Sequence, residues 1–206
     1  LIGLISGELL KFSEKDIRIL TISGLLHDIG KIMIPNEILT KPGKLTVAEY
    51  NIMKQHVNFG YEKVKNQNID IRIKEACLLH HEKCDGTGYP FGLKSDQIPA
   101  VAKIIAIADV YDAMTSARVY RGALCPFEVI DTMYKDAFTK FEPEYILPFL
   151  KNVASSYINN DVRLSDGRIG KVVLINENAL SLPIVQCEDE FIDLSKTRGL
   201  TVSAIL

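Results

Sequence analysis

The sequence changes its pattern near residue 158, and this change limits the fold more than any other feature. Before it, apolar residues recur at helical spacing in segments separated by short breaks that contain glycine or proline. After it, apolar residues occur in short runs around turn-forming pairs such as Asp166-Gly167. We therefore expect a mainly α fold, with a helical bundle over residues 1–157 and a small β appendage over residues 158–206.

Capping residues and prolines divide the first region. Ser13 with Asp16, and Thr46 with Glu49, have the spacing of N-terminal capping boxes. The predicted elements are a helix that ends at Gly30, helices over about 46–65, 70–82 and 100–116, and helices that begin at Pro126 and Pro143. In the appendage we expect a hairpin of residues 162–164 with 169–175, and two strands over 184–187 and 191–194.

Composition excludes several classes of protein. The 206 residues include 24 basic and 26 acidic side chains, for a net charge of -2. A polymeric nucleic acid partner would require a basic excess, whereas a small phosphorylated ligand requires only a few local cations. No apolar run approaches the roughly 20 residues of a membrane span. No signal peptide is visible, and because the chain opens at Leu1 we expect a fragment with unseen upstream sequence.

The four cysteines form no C-x-x-C pair. Their number and spacing do not predict a disulfide scaffold, a zinc knuckle or a redox motif. We expect a reduced, cytoplasmic protein.

The chain has only four histidines, His27, His56, His80 and His81. Each lies beside an acid, beside another histidine or on an apolar helical stripe. Any one of them alone is explained as a core histidine with its hydrogen bonds satisfied. Four together favour a use for the imidazole lone pairs, because burying imidazole repeatedly is costly.

Asp109 is a carboxylate within the apolar segment 104–110. Such a group requires an ion pair, a proton or a metal ion. The simple alternative is an ion pair with Lys103 or Arg118.

Taken together, the histidines with Asp28 and Asp109 predict a metal centre. Nitrogen and oxygen ligands suit iron or manganese, or zinc at a catalytic site. Neighbouring residues on a helix point about 100° apart, so His80 and His81 fit two adjacent ions better than one. Asp28 can bridge the pair, and two ions can hold a bridging hydroxide for displacement at phosphorus.

Three cations lie near these residues in sequence: Lys31, Arg118 and Arg121. They are candidates for contacts with phosphate oxygens. The alternative for each is an ordinary solvated surface charge.

Three motifs in order resemble the HD-GYP family of the HD phosphohydrolase superfamily. They are LLHDIGK at 25–31, HHEKCDGTGYP at 80–90 and IADVYDAMTSARVYR at 107–121. The resemblance covers roughly residues 9–153 and leaves the appendage outside. It implies an HD-type helical bundle with two or three divalent ions, iron or manganese first, with zinc, nickel and magnesium as alternatives. It also implies hydrolysis of cyclic di-GMP to pGpG, GMP or both.

The resemblance also implies roles for individual residues. Asp28 would bridge the ions, and Lys31 would hold a phosphate oxygen beside them. Tyr89 would lie against a guanine, or would pack locally as part of an ordinary turn. Glu82 is expected to support a ligand or carry a helix-end charge rather than bind metal. The implied metal ligands are His27, Asp28, His56, His80, His81 and Asp109, and the implied substrate contacts are Lys31, Gly88, Tyr89, Pro90, Arg118 and Arg121.

One departure from the family pattern concerns the first helix, which usually carries a further histidine. That position would precede Leu1, and Glu8 is the one candidate ligand within residues 1–12. We therefore expect an under-coordinated metal position in this chain. The alternatives to a cyclic di-GMP phosphodiesterase are a catalytically weak effector that binds a cyclic dinucleotide, and a hydrolase of another cyclic dinucleotide or a nucleotide. An upstream regulatory domain and a homodimer are further expectations.

Overall fold

The computed structural model describes residues 12–116 and 124–206. Its α-helices are α1 (Glu14–Leu26), α2 (Asn36–Leu39), α3 (Val47–Met53), α4 (His56–Val64), α5 (Ile71–Leu79), α6 (Ala100–Thr115), α7 (Pro126–Asp136) and α8 (Pro143–Ser155). Short 3₁₀ turns cover Ile29–Met33, Ser95–Gln97 and Leu194–Lys196. The mainly α prediction is confirmed. No helix within the described ranges has the length and apolarity needed to cross a membrane.

Helix starts follow the local sequence closely. Ser13 caps α1 and Thr46 caps α3, and in both the predicted capping box is formed by the third residue of the helix. Prolines occupy the first turns of α7 and α8. These boundaries are predictable because the groups that satisfy the first free N–H groups lie within three residues of them.

Helix ends differ from the predictions in three places. Helix α1 ends at Leu26 rather than Gly30, and α5 ends at Leu79 rather than near residue 82. The single helix predicted over 46–65 is two helices, α3 and α4, separated at Lys54 and Gln55. No proline or glycine marks that break, so the local pattern alone predicts a continuous helix. At the break, the His56 backbone packs against Gly30, a contact between segments distant in sequence.

The appendage is one antiparallel sheet of five strands in the order β4-β3-β2-β1-β5. Its strands are β1 (Asp161–Leu164), β2 (Ile169–Leu174), β3 (Ile184–Cys187), β4 (Glu190–Asp193) and β5 (Val202–Ile205). The predicted hairpin and two further strands are present. Strand β5 was not predicted, because its four residues include Ser203 and Ala204 and carry a weak apolar pattern.

The sheet packs on the last helices. Phe127 and Met133 of α7, Phe149 and Leu150 of α8, and the buried face of the sheet belong to one apolar cluster. A second cluster joins α1, α5 and α6. The division into residues 1–157 and 158–206 stays a proposal, and the shared cluster means that the appendage does not pack independently of the helices. All four cysteines are free thiols.

Candidate metal centre

The turn after α1 positions the first two candidate ligands. His27 directly follows the helix, and its backbone N–H bonds to the Ser23 carbonyl. Gly30, three residues on, lies against the start of α4. A Cβ at Gly30 would be 1.9 Å from the His56 carbonyl oxygen and 2.4 Å from the Gly60 nitrogen. Only glycine permits this approach, which brings Asp28 and His56 together.

Four side chains form the first candidate ligand group, Asp28, His56, His80 and His81, with one ligand atom from each lying within 4.8 Å of the others. The Nε2 atoms of His56 and His80 are 3.4 Å apart. Oδ1 of Asp28 lies 3.3 Å from the first and 3.8 Å from the second. These atoms converge on one point, as the ligands of a single ion do. The expectation that His80 and His81 serve two different ions is therefore not met in this grouping, because α5 ends at Leu79 and the helical spacing does not extend to them.

A second candidate group contains His27, Asp28 and Asp109. His27 Nε2 lies 3.3 Å from Asp28 Oδ2 and 3.8 Å from Asp109 Oδ1. Asp109 Oδ2 in turn lies 4.0 Å from His81 Nδ1. Asp28 therefore belongs to both groups, with one carboxylate oxygen turned toward each.

Three of the imidazoles have a fixed tautomer. The Nδ1 atoms of His27, His56 and His80 lie 2.8, 2.8 and 2.9 Å from the backbone carbonyl oxygens of Gly24, Met53 and Ala76. Since a carbonyl oxygen can only accept, each Nδ1 carries a proton and donates it. In the neutral form of each ring the Nε2 lone pair is then available to bind metal, an arrangement common for metal-binding histidines, whereas a protonated ring must first lose its Nε2 proton.

Burial favours the neutral form of three of the four imidazoles. It lowers the pKa of His81 to about 4 and also lowers the pKa of His56 and His80. A neutral imidazole is the form that binds metal.

His27 differs from the other three. Burial opposes its charged form, but hydrogen bonds to Asp109 and Asp28 outweigh burial and raise its pKa to about 10. Burial likewise raises the pKa of Asp28, yet His27 and Lys31 together hold that pKa below its ordinary value. The carboxylates of Asp28 and Asp109 thus favour a positive charge at the His27 position.

The donor set fits divalent metal ions. Asp28 Oδ1 is buried, and within residues 12–116 and 124–206 it accepts no hydrogen bond. A buried carboxylate oxygen without a partner is costly, and it faces two imidazole nitrogens whose lone pairs are free. Nitrogen and oxygen donors without thiolate suit iron, manganese or zinc. Cys77, the nearby buried cysteine, donates instead to the Leu26 carbonyl.

Of the three cationic residues predicted to lie near the centre, the structure describes one. The Lys31 ammonium contacts Asp28 Oδ2, and its side chain is 37% exposed. Arg118 and Arg121 lie outside the described residues. Lys103, the simple alternative partner for Asp109, pairs with Glu142 at 2.7 Å.

Glu82 anchors the loop that follows the two adjacent histidines. Its side chain is 4% exposed and accepts hydrogen bonds from the backbone N–H groups of Phe91, Gly92 and Leu93, at 2.7, 3.2 and 3.0 Å. It therefore supports the loop, whereas the sequence predicted that it supports a ligand or carries a helix-end charge.

The loop itself lies against His81. A Cβ at Gly88 would be 2.5 Å from the Glu82 Cα, so only glycine allows this contact. The Tyr89 ring stacks on the His81 ring at 4.7 Å between centroids and 27° between planes. Local packing of Tyr89, the alternative considered from sequence, is thus present, and it places the ring directly beside a candidate ligand.

Two residues near the centre were missed from sequence, Tyr50 and Lys54. The Lys54 ammonium lies 5.4 Å from the centroid of the Tyr50 ring and 6.0 Å from that of Tyr89. Their i, i+4 spacing just before His56 was the available signal, since such residues share a helix face.

Comparisons with known proteins agree with this geometry. The family model described as HD domain matches residues 4–145. The chain is 39% identical over 166 residues to cyclic di-GMP phosphodiesterase PA4108 of Pseudomonas aeruginosa, covering 80% of this chain and 40% of the relative. It is 42% identical over 154 residues to the cyclic di-GMP phosphodiesterase response regulator RpfG of Xanthomonas campestris, covering 74% and 40%.

A third relative is named for a different substrate. This is the 3'3'-cGAMP-specific phosphodiesterase 1 of Vibrio cholerae, 44% identical over 117 residues, with 55% of this chain and 26% of the relative covered. The chain spans about 40% of the length of the first two relatives.

A solved structure shares the fold. Bd1817, an HDG"Y"P protein from Bdellovibrio bacteriovorus, superimposes with a TM-score of 0.59 at 21% identity, over 71% of this chain and 47% of that one. The resemblance stated from the sequence motifs is confirmed. A family-model match over residues 4–145, a range that includes both ligand groups, shows that this chain belongs to the HD domain family.

Proposed function

We propose that this chain is a metal-dependent phosphodiesterase that hydrolyses cyclic di-GMP. The observation that carries the proposal is the pair of ligand groups joined through Asp28. Relatives about 40% identical over most of this chain are named cyclic di-GMP phosphodiesterases. A centre for two ions is one arrangement that catalyses displacement at phosphorus.

The proposed roles of the ligands follow from their positions. His56, His80 and His81 would hold one ion, His27 and Asp109 the other, and Asp28 would bridge. Iron or manganese are the proposed ions, two or three in number. When bound, the ions would activate water as a nucleophile and provide Lewis acidity at phosphorus.

The remaining proposed residues act on the substrate. Lys31, half-exposed and in contact with Asp28, would hold a phosphate oxygen beside the ions. Gly88, Tyr89 and Pro90 would border the substrate, with the Tyr89 ring against a base. Arg118 and Arg121 would bind phosphate. The products would be pGpG, GMP or both.

One specific observation favours a second candidate substrate. Three Vibrio cholerae relatives, 36–44% identical to this chain, are named 3'3'-cGAMP-specific phosphodiesterases. Hydrolysis of 3'3'-cGAMP is therefore the alternative. A cytoplasmic location, an upstream regulatory domain and a homodimer remain proposals alongside the activity.

The test is anaerobic loading of the metal-stripped protein with Fe²⁺ or Mn²⁺, followed by chromatography of the products from each cyclic dinucleotide. We expect no more than about two ions bound per chain, because the under-coordinated position predicted from the sequence lowers occupancy, and we expect faster turnover of cyclic di-GMP than of 3'3'-cGAMP. Faster turnover of 3'3'-cGAMP would establish the alternative. Full metal loading without hydrolysis of either would contradict the enzymatic proposal.

A further inference from the structure

Beside the candidate metal centre lies a cluster of three side chains, Tyr50, Lys54 and Tyr89, which we call the tyrosine–lysine corner. The two tyrosine rings are 6.5 Å apart at 81°. The Lys54 ammonium lies near both rings, 5.4 and 6.0 Å from their centroids. The corner therefore presents one cation and two aromatic surfaces at the same place.

The corner adjoins the centre directly. Tyr89 stacks on His81 at 4.7 Å and lies 6.5 Å from the His56 ring. Consider a ligand that has two phosphates and places one of them at the two ligand groups. Its second phosphate and the attached base would then reach the corner along the protein surface.

Lys54 differs from the neighbouring lysines in its charge environment. Lys31 contacts Asp28, and Lys41 lies 2.6 Å from a carboxylate oxygen of Glu49. Within the described part of the chain, Lys54 makes no salt bridge, and its contacts are the two rings. A cation held beside aromatic rings without a carboxylate has its charge available to an anionic ligand.

Tyr50 supplies the surface for a base. Its side chain is 48% exposed, although the ring lies against Tyr89. Stacking on an aromatic ring stabilises any nucleobase, because every base has a π face. An exposed tyrosine ring can therefore stack on guanine or adenine without distinguishing between them.

We propose that the tyrosine–lysine corner binds the second nucleotide of a cyclic dinucleotide, with its phosphate on Lys54 and its purine on Tyr50. The proposal rests on the proposed function for the identity of the ligand. It assigns Lys54 and Tyr50 to affinity for the dinucleotide rather than to hydrolysis.

The test is equilibrium dialysis of cyclic di-GMP and of 3'3'-cGAMP against metal-stripped protein, which measures binding without turnover. Lys54→Met and Tyr50→Ala should each weaken binding about tenfold or more, since charge-assisted hydrogen bonds and base stacking are worth that much. The loss should be equal for the two ligands. Lys54→Arg and Tyr50→Phe, which keep the charge and the ring, should restore most of the affinity.

Matched controls are Lys63→Met, at an exposed position of α4, and Tyr134→Ala, at an exposed position of α7. Circular dichroism checks the fold of each variant, and if Tyr50→Ala unfolds, Lys54→Met decides. Three outcomes would overturn the proposal. Lys54→Met could bind with wild-type affinity, the control variants could lose as much affinity as the corner variants, or the wild-type protein could bind neither ligand. Wild-type binding that is lost in the variants, with no hydrolysis under full metal loading, would support the corner and contradict only the enzymatic proposal.

Discussion

The helical region and the C-terminal sheet bury different kinds of side chain. Within the described residues, the buried polar side chains are Ser23, His56, His80 and Glu82, all in the helical region. The buried side chains of the sheet are apolar, as Leu164, Val172 and Val185 illustrate. Burying polar groups costs free energy unless a partner is present. Three of these four side chains are candidate ligands or the loop support: His56, His80 and Glu82. The sheet, in contrast, has the composition of a packing element.

The largest effect is expected from His80→Ala, which removes a ligand of the first group. Its Nε2 lies 3.4 Å from that of His56, and an alanine side chain has no atom that can bind metal. We expect loss of bound metal and at least about a 1,000-fold loss of turnover, because the nucleophile depends on the ions. Far-ultraviolet circular dichroism should show the helical content retained. Near wild-type turnover of the His80→Ala variant would contradict the assignment of His80 as a metal ligand.

The opposite behaviour is expected from Leu164→Ala in the sheet. Leu164 is 1% exposed, and truncating a buried leucine costs about 2–5 kcal/mol in the free energy of unfolding. Urea unfolding measures this, with Leu174→Ala, at a side chain 54% exposed, as the control that should change little. Metal bound per folded chain should stay at the wild-type value. A loss of metal at full folding would show that the sheet shapes the centre.

Gly30→Ala sharpens the comparison inside the helical region. The new methyl group would meet the His56 carbonyl oxygen at 1.9 Å, and overpacking of this kind costs about 1–3 kcal/mol. We expect both a lower urea midpoint and weaker metal binding, because the contact joins Asp28 to His56. Gly60→Ala is the matched control, since its Cβ would lie 3.4 Å from the Gly30 nitrogen. If Gly60→Ala lowers the urea midpoint and the metal affinity as much as Gly30→Ala does, the close approach of Gly30 to His56 is not what positions the ligands.

The smallest effect is expected from Glu82→Gln. An amide can accept some of the three backbone hydrogen bonds but directs its own N–H groups at the others, so a buried donor is left unpaired at a cost of about 1–3 kcal/mol. Trypsin should cut faster after Lys83 or Lys94, which flank the loop, and KM for the dinucleotide should rise more than kcat falls. Unchanged proteolysis would show that the loop keeps its place without the carboxylate.

Much of the architecture could be read from local patterns. Capping boxes and first-turn prolines located helix starts, because the stabilising groups are near neighbours in sequence. Helix ends and strand β5 could not be located equally well. The break at Lys54 and the pairing of β5 with β1 depend on contacts with distant segments.

The sequence by itself determined which residue types were available for a metal centre: four histidines and two carboxylates in ordered motifs, without a recruited thiolate. Tertiary structure decided how they group. Turning one Asp28 oxygen to His56 and the other to His27 requires the glycine contact between the turn after α1 and the start of α4. The loop support by Glu82 and the meeting of Lys54 with Tyr89 likewise depend on three-dimensional distance. Spacing along a chain specifies which residues share one element, whereas a site built from several elements is set by how those elements pack.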